Sequence, residues 1–152
     1  MTLVEVGNAA QIKDLLAGLK SDTSALWGNM NAQQMVEHLI SEVRYTNGVK
    51  IPVDTGLPPD FAERKQRGLN LDYDFPRNII LGTLPEDYEY TNIEEAKKQL
   101  VKEVETFHQH FAANPNMEVL HGGFGMMNYD EWVIWHGKHF THHFKQFGLI
   151  PL

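Results

Sequence analysis

Apolar residues recur every three to four positions in four segments of this sequence, which is the spacing of one face of an α-helix. Each segment opens on an asparagine that is followed three residues later by Gln or Glu, a pattern typical of a capped helix N-terminus. The pattern predicts helices over about 8–20, 31–47, 92–113 and 128–147. Glycines follow the second and fourth segments, and an Asn-Pro pair follows the third, which marks their ends.

The stretch 49–90 between the second and third segments lacks this period and holds five of the seven prolines. A short helix is predicted at 60–67, and no convincing run of strands is present anywhere. Connections of this length in a compact domain are usually functional or disordered. The sequence therefore predicts one all-α domain over 1–152, a four-helix bundle with a long crossover connection between helices 2 and 3.

Length and charge narrow the function classes. A chain of 152 residues suits a single domain with one hydrophobic core. The formal net charge of -7 disfavours nucleic acid as a partner, because phosphate backbones bind basic surfaces. The sequence contains no run of about 18 apolar residues, so no membrane span is predicted. The N-terminus lacks the basic and apolar regions of a signal peptide. We therefore expect a cytoplasmic protein that acts on a small molecule.

Histidine is the unusual component: the chain has eight His and no Cys. On the fourth predicted helix, His136, His139, His143 and Gln146 all fall within about 40° of Trp132 at 100° per residue. His139 and His143 are spaced i, i+4, about 6 Å apart along the axis, a spacing that can bind one metal ion. His38 on the second helix has a suitable phase for a third ligand. The alternative interpretation is a set of partly buried imidazoles satisfied by hydrogen bonds.

Other residues near this face have two interpretations each. His136 is either a further ligand or a partner of one. His121 lies in a glycine-rich loop and either reaches the mouth of the site or stabilises a turn. Glu42, four residues after His38, could orient that ring, accept a substrate proton or simply face solvent. Gln146 shares the face of the histidines. No residue is assigned a catalytic role, because no nucleophilic triad or nucleotide fingerprint is present.

Three stretches carry a resemblance to a known family. They read LWGNMNAQQMVEHL at 26–39, HGGFGMMNYDEW at 121–132 and HFTHHFKQFG at 139–148. Together they resemble the DinB/YfiT-like superfamily of metalloenzymes, and more closely a branch described only as a domain of unknown function. The last stretch is the most specific, since it spaces His139, His143 and Gln146 as the family does. One departure is Gly122, where the common form of the loop has proline.

The resemblance implies an up-and-down-type four-helix bundle that is often a homodimer. It also implies one divalent metal, most often zinc and in some cases nickel or iron, held by His38, His139 and His143. Characterised relatives include S-transferases and isomerases that use a low-molecular-weight thiol. The leading hypothesis is thus a metal-dependent thiol S-transferase, with a metal-dependent hydrolase as an alternative. A second alternative is a non-catalytic, stress-related metal-binding or scaffold protein.

Overall fold

The structure, a computed structural model, describes residues 3–77 and 87–152. The described chain is mostly helical, as expected, but it has five helices and a small two-stranded sheet. The helices are α1 Ala9–Leu16, α2 Ala32–Arg44, α3 Phe61–Gly68, α4 Ile93–Ala113 and α5 Tyr129–Gln146. The strands are β1 Val119–His121 and β2 Gly125–Met127, which lie between α4 and α5. None of these helices is long and apolar enough to cross a membrane.

The predicted helix starts are confirmed by their caps. Asn8, Asn31, Asn92 and Asn128 each accept a hydrogen bond from the backbone N–H three residues ahead. At Asn31 and Asn128 the glutamine or glutamate side chain also bonds back to the cap, so the capping box is complete. The end predicted for the first helix was wrong, since α1 stops at Leu16 rather than at residue 20. The next residues, Gly18 and Leu19, bond to carbonyls only three residues back, which tightens the chain into turns.

The expectation of no strands was also wrong. β1 and β2 form an antiparallel hairpin in which Val119 pairs with Met127 and His121 with Gly125. Strands of three residues are too short to show a two-residue alternation in the sequence. The turn is instead held by the His121 ring, whose Nδ1 accepts the backbone N–H groups of Gly123 and Phe124 at 3.0 and 3.2 Å. Gly125 adopts a φ of 83°, which residues with a Cβ rarely do.

The core forms where α2 packs along α4 and α1 packs beside them. Its largest fully buried side chains include Met35, Leu39, Leu100, Phe107, Phe140 and Phe144. Burying a side chain of this size contributes about 1.5–3 kcal/mol. The aromatic side of α5 therefore packs inward and fixes the rotation of this helix. That rotation brings its histidine side towards α2.

The long connection packs onto the helices in its middle and at its end. In the middle, after α3, the Lys138 Nζ of α5 donates to the carbonyls of Gly68 and Asn70 at 2.7 and 2.5 Å. At its end, Glu37 of α2 accepts the backbone N–H groups of Glu89 and Tyr90 at 2.7 and 3.4 Å. The predicted crossover at 49–90 is thus anchored at these two places, while residues 78–86 lie outside the described residues.

Candidate metal centre

Three histidine side chains converge between α2 and α5. The Nε2 atom of His139 lies 3.0 Å from Nε2 of His38 and 3.1 Å from Nε2 of His143. One nitrogen from each ring lies within 4.8 Å of the other two. The one-turn spacing on α5 aligns His139 with His143, and the packing of α2 supplies His38. The three residues that helical phase selected are therefore brought together.

Gln146 fixes the protonation of one of these rings. Its Nε2 donates to the backbone carbonyl of Trp27 at 2.9 Å, so its Oε1 must point the other way, towards His143. That oxygen lies 2.7 Å from His143 Nδ1 and can only accept, so the hydrogen of this imidazole is on Nδ1. The Nε2 of His143 therefore carries no hydrogen, and its lone pair points at the other two rings. Gln146, which shares the histidine face of α5, thus orients the His143 ring.

All three rings are held in the neutral form that a metal requires. Burial, together with the nearby His142, lowers the pKa of His38 to about 4. Burial and the neighbouring His38 lower the pKa of His143 to about 3, against the opposing hydrogen bond to Gln146. Burial and the two partner histidines hold the pKa of His139 well below its ordinary value. Protons therefore do not compete for these nitrogens near neutral pH.

The spacing of the nitrogens fits a small cation better than it fits hydrogen bonds. Zinc–nitrogen bonds of about 2.0–2.1 Å at tetrahedral angles separate two ligand nitrogens by roughly 3.3 Å. The two shorter separations here are within a few tenths of an ångström of that value. The Nε2 of His139 carries at most one hydrogen, which cannot point at both neighbours at once. A cation between the rings would allow all three nitrogens to present lone pairs to one positive charge.

Among the described residues, the cluster brings together three candidate ligands and no fourth. Within 3–77 and 87–152, no other His, Asp or Glu side chain joins the group formed by His38, His139 and His143. Structural zinc sites have four protein ligands, whereas catalytic sites have three and keep a position open. The arrangement is that of an open site. Trp135 and Phe75 border it, with ring centroids 4.8 and 6.3 Å from that of His139.

Glu42 lies one turn after His38 on α2 but is not part of the cluster. Burial raises the pKa of its carboxyl, and the opposing charge of Lys50 reduces that shift. A raised pKa suits a carboxyl that exchanges protons. Of the three interpretations that the sequence left open, its partial burial argues against a fully solvated side chain.

His136 and His121 make their hydrogen bonds elsewhere. The Thr46 hydroxyl donates to the Val43 carbonyl at 2.9 Å, so it accepts from His136 Nε2 at 2.8 Å. His136 is fully buried and lies beside Trp132, not among the three convergent rings. His121 bonds to the hairpin turn and stacks on Phe124 at 4.0 Å between ring centroids. These contacts place both histidines outside the three-ring cluster, and among the described residues His136 Nδ1 has no hydrogen-bond partner.

A second group of polar residues lies beside the cluster and was not identified from the sequence. Lys138, His142 and Lys145 line one side of a small cavity, and Arg77 lines the other. The three α5 residues are spaced i, i+4 and i+7, so helical phase could have grouped them. Burial lowers the pKa of His142, and the positive charges of Arg77 and Lys145 lower it further, against the opposing effect of Asp74.

Comparisons of the chain with models of protein families, with curated proteins and with solved structures find no match. The function must therefore be argued from the residues of the site themselves.

Proposed function

We propose that this chain binds one divalent metal ion through Nε2 of His38, His139 and His143 and catalyses a reaction of a small molecule. The observation that carries the proposal is the convergence of three neutral ring nitrogens, from the buried His139 and His143 and the partly buried His38, two pairs of which are only 3.0 and 3.1 Å apart. Imidazole donors suit zinc, nickel and iron alike, and zinc is the first choice for a compact set of three.

A metal ion held in this way would supply Lewis acidity, lowering the pKa of a bound water or thiol. The chain's own residues perform the remaining tasks. Gln146 keeps the His143 lone pair directed at the site, and Phe75 and Trp135 exclude water from one side of it. Glu42, one turn after His38 on α2 and partly buried, is our candidate for the group that holds or releases a proton.

The reaction that we propose is conjugation of a low-molecular-weight thiol with an electrophilic small molecule. The thiol loses its proton, its sulfur forms a new S–C bond, and the leaving group of the electrophile departs with the electron pair of the bond that breaks. The chain has no cysteine, so the sulfur must enter on the small molecule. The resemblance of its motifs to the DinB/YfiT-like superfamily supports the same reaction class and a four-helix bundle ancestry. Hydrolysis at the same centre is the alternative that the assay must distinguish.

The test begins with untagged protein purified without added metal and analysed for its elements. We expect about one equivalent of a divalent metal per chain, retained through gel filtration and removed by a strong chelator. The metal-loaded protein is then assayed with a small thiol plus a chromogenic aryl halide, and separately with a chromogenic ester.

Each outcome decides between the candidate functions. Chelator-sensitive thiol conjugation supports the transferase, and chelator-sensitive ester cleavage without conjugation supports the hydrolase. Bound metal whose removal lowers the melting temperature, with neither activity, supports the non-catalytic metal-binding protein. Absence of metal after reconstitution with zinc, nickel or iron would refute the metal centre itself.

A further inference from the structure

A cavity of about 100 Å³ lies next to the histidine cluster, between α5 and the segment that follows α3. Trp27 forms part of its wall, and Leu152 lies at its edge. This volume is several times what one water molecule requires, so it admits a group of a few heavy atoms. The cavity is separate from the three convergent rings, none of which lines it.

The cavity is positively charged in a chain that is acidic overall. Arg77, Lys138 and Lys145 line it against one acidic side chain, that of Asp74, while the whole chain carries a net charge of -7. Lys138 is almost fully buried and is bonded to two backbone carbonyls, so its charge is fixed in place. Within the described residues, Arg77 and Lys145 form no ion pair with any carboxylate.

An aromatic contact holds Arg77 in position. The guanidinium of Arg77 lies over the Trp27 ring, 4.3 Å from its centroid. The Trp27 Nε1 is buried and has no partner within the part of the chain that the structure describes. A planar guanidinium in a fixed position suits an oxyanion, because its donors match the two oxygens of a carboxylate or phosphate. The cavity therefore offers charge and free hydrogen-bond donors, with Asp74 as the one opposing group.

Two rings connect this cavity to the histidine cluster. His142 lines the cavity, and its ring centroid lies 5.0 Å from that of His143. Phe75 also lines the cavity, and its ring centroid lies 6.3 Å from those of both His139 and His142. A group bound in the cavity is thus one side chain away from the cluster. One small molecule can extend from one to the other.

We propose that this cavity binds an oxyanionic group, a carboxylate or a phosphoryl group, carried by the small molecule on which the histidine centre acts. Arg77 and Lys145 bind the anion, and Lys138 contributes a fixed positive charge behind them. The assignment of the rest of the molecule to the histidines rests on the proposed function. Anion binding itself does not, because it needs no metal.

The test uses the full-length, metal-free protein labelled with ¹⁵N. Inorganic phosphate and acetate are titrated separately at constant ionic strength, with chloride as the balancing anion. The probe is the indole N–H signal of Trp27, assigned with Trp27→Phe. We expect a saturable shift of this signal, with the tighter of the two anions identifying the group as phosphoryl or carboxylate.

Paired variants separate a built site from general charge. The double variant Arg77→Gln/Lys145→Gln is expected to weaken binding at least about tenfold, as loss of charge-assisted hydrogen bonds would. Lys13→Gln/Lys102→Gln removes the same charge from exposed positions outside the cavity and should leave the affinity within about twofold. Arg77→Lys should retain part of the affinity. Circular dichroism verifies that each variant folds. If Arg77→Gln/Lys145→Gln does not fold, anion binding is measured in Arg77→Gln and Lys145→Gln separately.

The proposal is overturned if the Trp27 signal does not saturate with either anion, or if both double variants weaken binding equally. Its failure is distinct from failure of the metal centre. His139→Gln should leave phosphate or acetate binding unchanged in the metal-free protein. If the chain binds the anion but no metal, the anion site stands and the proposed metal-dependent reaction is refuted. If the chain binds metal but no anion, the metal centre stands and the anion site is refuted.

Discussion

His136 and His139 lie one turn apart on the same helix, both are buried, and yet their ring nitrogens have different partners. His136 Nε2 donates to the Thr46 hydroxyl, which in turn donates to the Val43 carbonyl. His139 Nε2 points at the nitrogens of both His38 and His143, and the single hydrogen it can carry serves only one of them. The first ring is part of the core's hydrogen bonding, and the second is part of a site.

The pKa does not distinguish these two histidines. Burial lowers the pKa of His136 to about 3, and burial also holds that of His139 well below its ordinary value. A depressed histidine pKa therefore reports burial and does not by itself identify a functional group. The identity of the atom opposite the nitrogen is the better criterion. A ring whose nitrogens face only hydroxyl, carbonyl or N–H groups is structural, whereas a ring nitrogen that faces another ring's unprotonated nitrogen indicates a shared ligand, as in His143, whose Nδ1 bonds to the Gln146 oxygen while its Nε2 faces His139.

The largest difference is expected between two single variants in which His139 or His136 is replaced by glutamine. His139→Gln should weaken zinc binding at least about a hundredfold, because one of three imidazole ligands is replaced by a much poorer amide donor. His136→Gln should keep one equivalent of zinc, since its amide can still donate to Thr46. It should instead lower the free energy of unfolding by roughly 1–3 kcal/mol, through lost packing against Trp132 and Phe107.

Isothermal titration with zinc measures the first effect, and denaturant unfolding of the metal-free variants measures the second. If both variants lose zinc binding equally, the atom opposite the ring nitrogen does not distinguish a site histidine from a structural one. Retention of full zinc affinity by His139→Gln would remove this histidine from the metal centre.

A smaller effect is expected at Gln146, which touches only one of the three rings. Gln146→Leu keeps most of the volume but removes the acceptor for His143 Nδ1, so the ring is no longer held with its lone pair on Nε2. Loss of such a partner typically costs about 10–100-fold in metal affinity. Gln146→Glu supplies a carboxylate acceptor in its place and should retain the affinity.

Gln99→Leu is the matched control, because Gln99 bonds to Glu103 on α4, away from the histidines. Zinc affinity should be unchanged in this variant, as measured by competition with a chromogenic chelator. If Gln146→Leu also binds zinc as tightly as the unmodified chain, Gln146 does not position His143.

The main features of this site could be predicted from the sequence because they follow from local rules. The asparagine caps set where the helices begin, and the i, i+4 spacing aligned His139 with His143. Helical phase then selected His38 from the second helix, and the same phase placed Gln146 on the histidine face. Each of these inferences depends on residues within a few turns of one helix.

The rest depends on contacts between residues far apart in the chain. Arg77 lines the cavity only because the segment after α3 packs onto α5, where Lys138 binds the carbonyls of Gly68 and Asn70. The partner of His136 is Thr46, ninety residues away. Hydrophobic periodicity does not encode such pairs. The β-hairpin was missed for another reason, since three-residue strands have no detectable period.

The smallest predicted effect is on the pH dependence of the free energy of unfolding, which should be similar for a site histidine and a structural histidine in metal-free protein. Burial lowers the pKa of both His38 and His121 to about 4, below the value near 6.5 of an unfolded chain. Between about pH 4 and 6.5 the unfolded chain therefore binds protons that the folded chain does not. The free energy of unfolding rises with pH across this window and falls on acidification, by up to about 1.4 kcal/mol per pH unit for each histidine. In metal-free protein, His38→Ala and His121→Ala should each reduce this slope by a similar amount, measured by urea unfolding at several pH values.

With zinc bound, acid must also displace the metal from His38. Zinc should therefore steepen the pH dependence of the free energy of unfolding much more in the unmodified chain and in His121→Ala than in His38→Ala. A site histidine would thus differ from a structural one in its metal-linked protons and not in its burial, and identical zinc responses in the two variants would contradict that distinction.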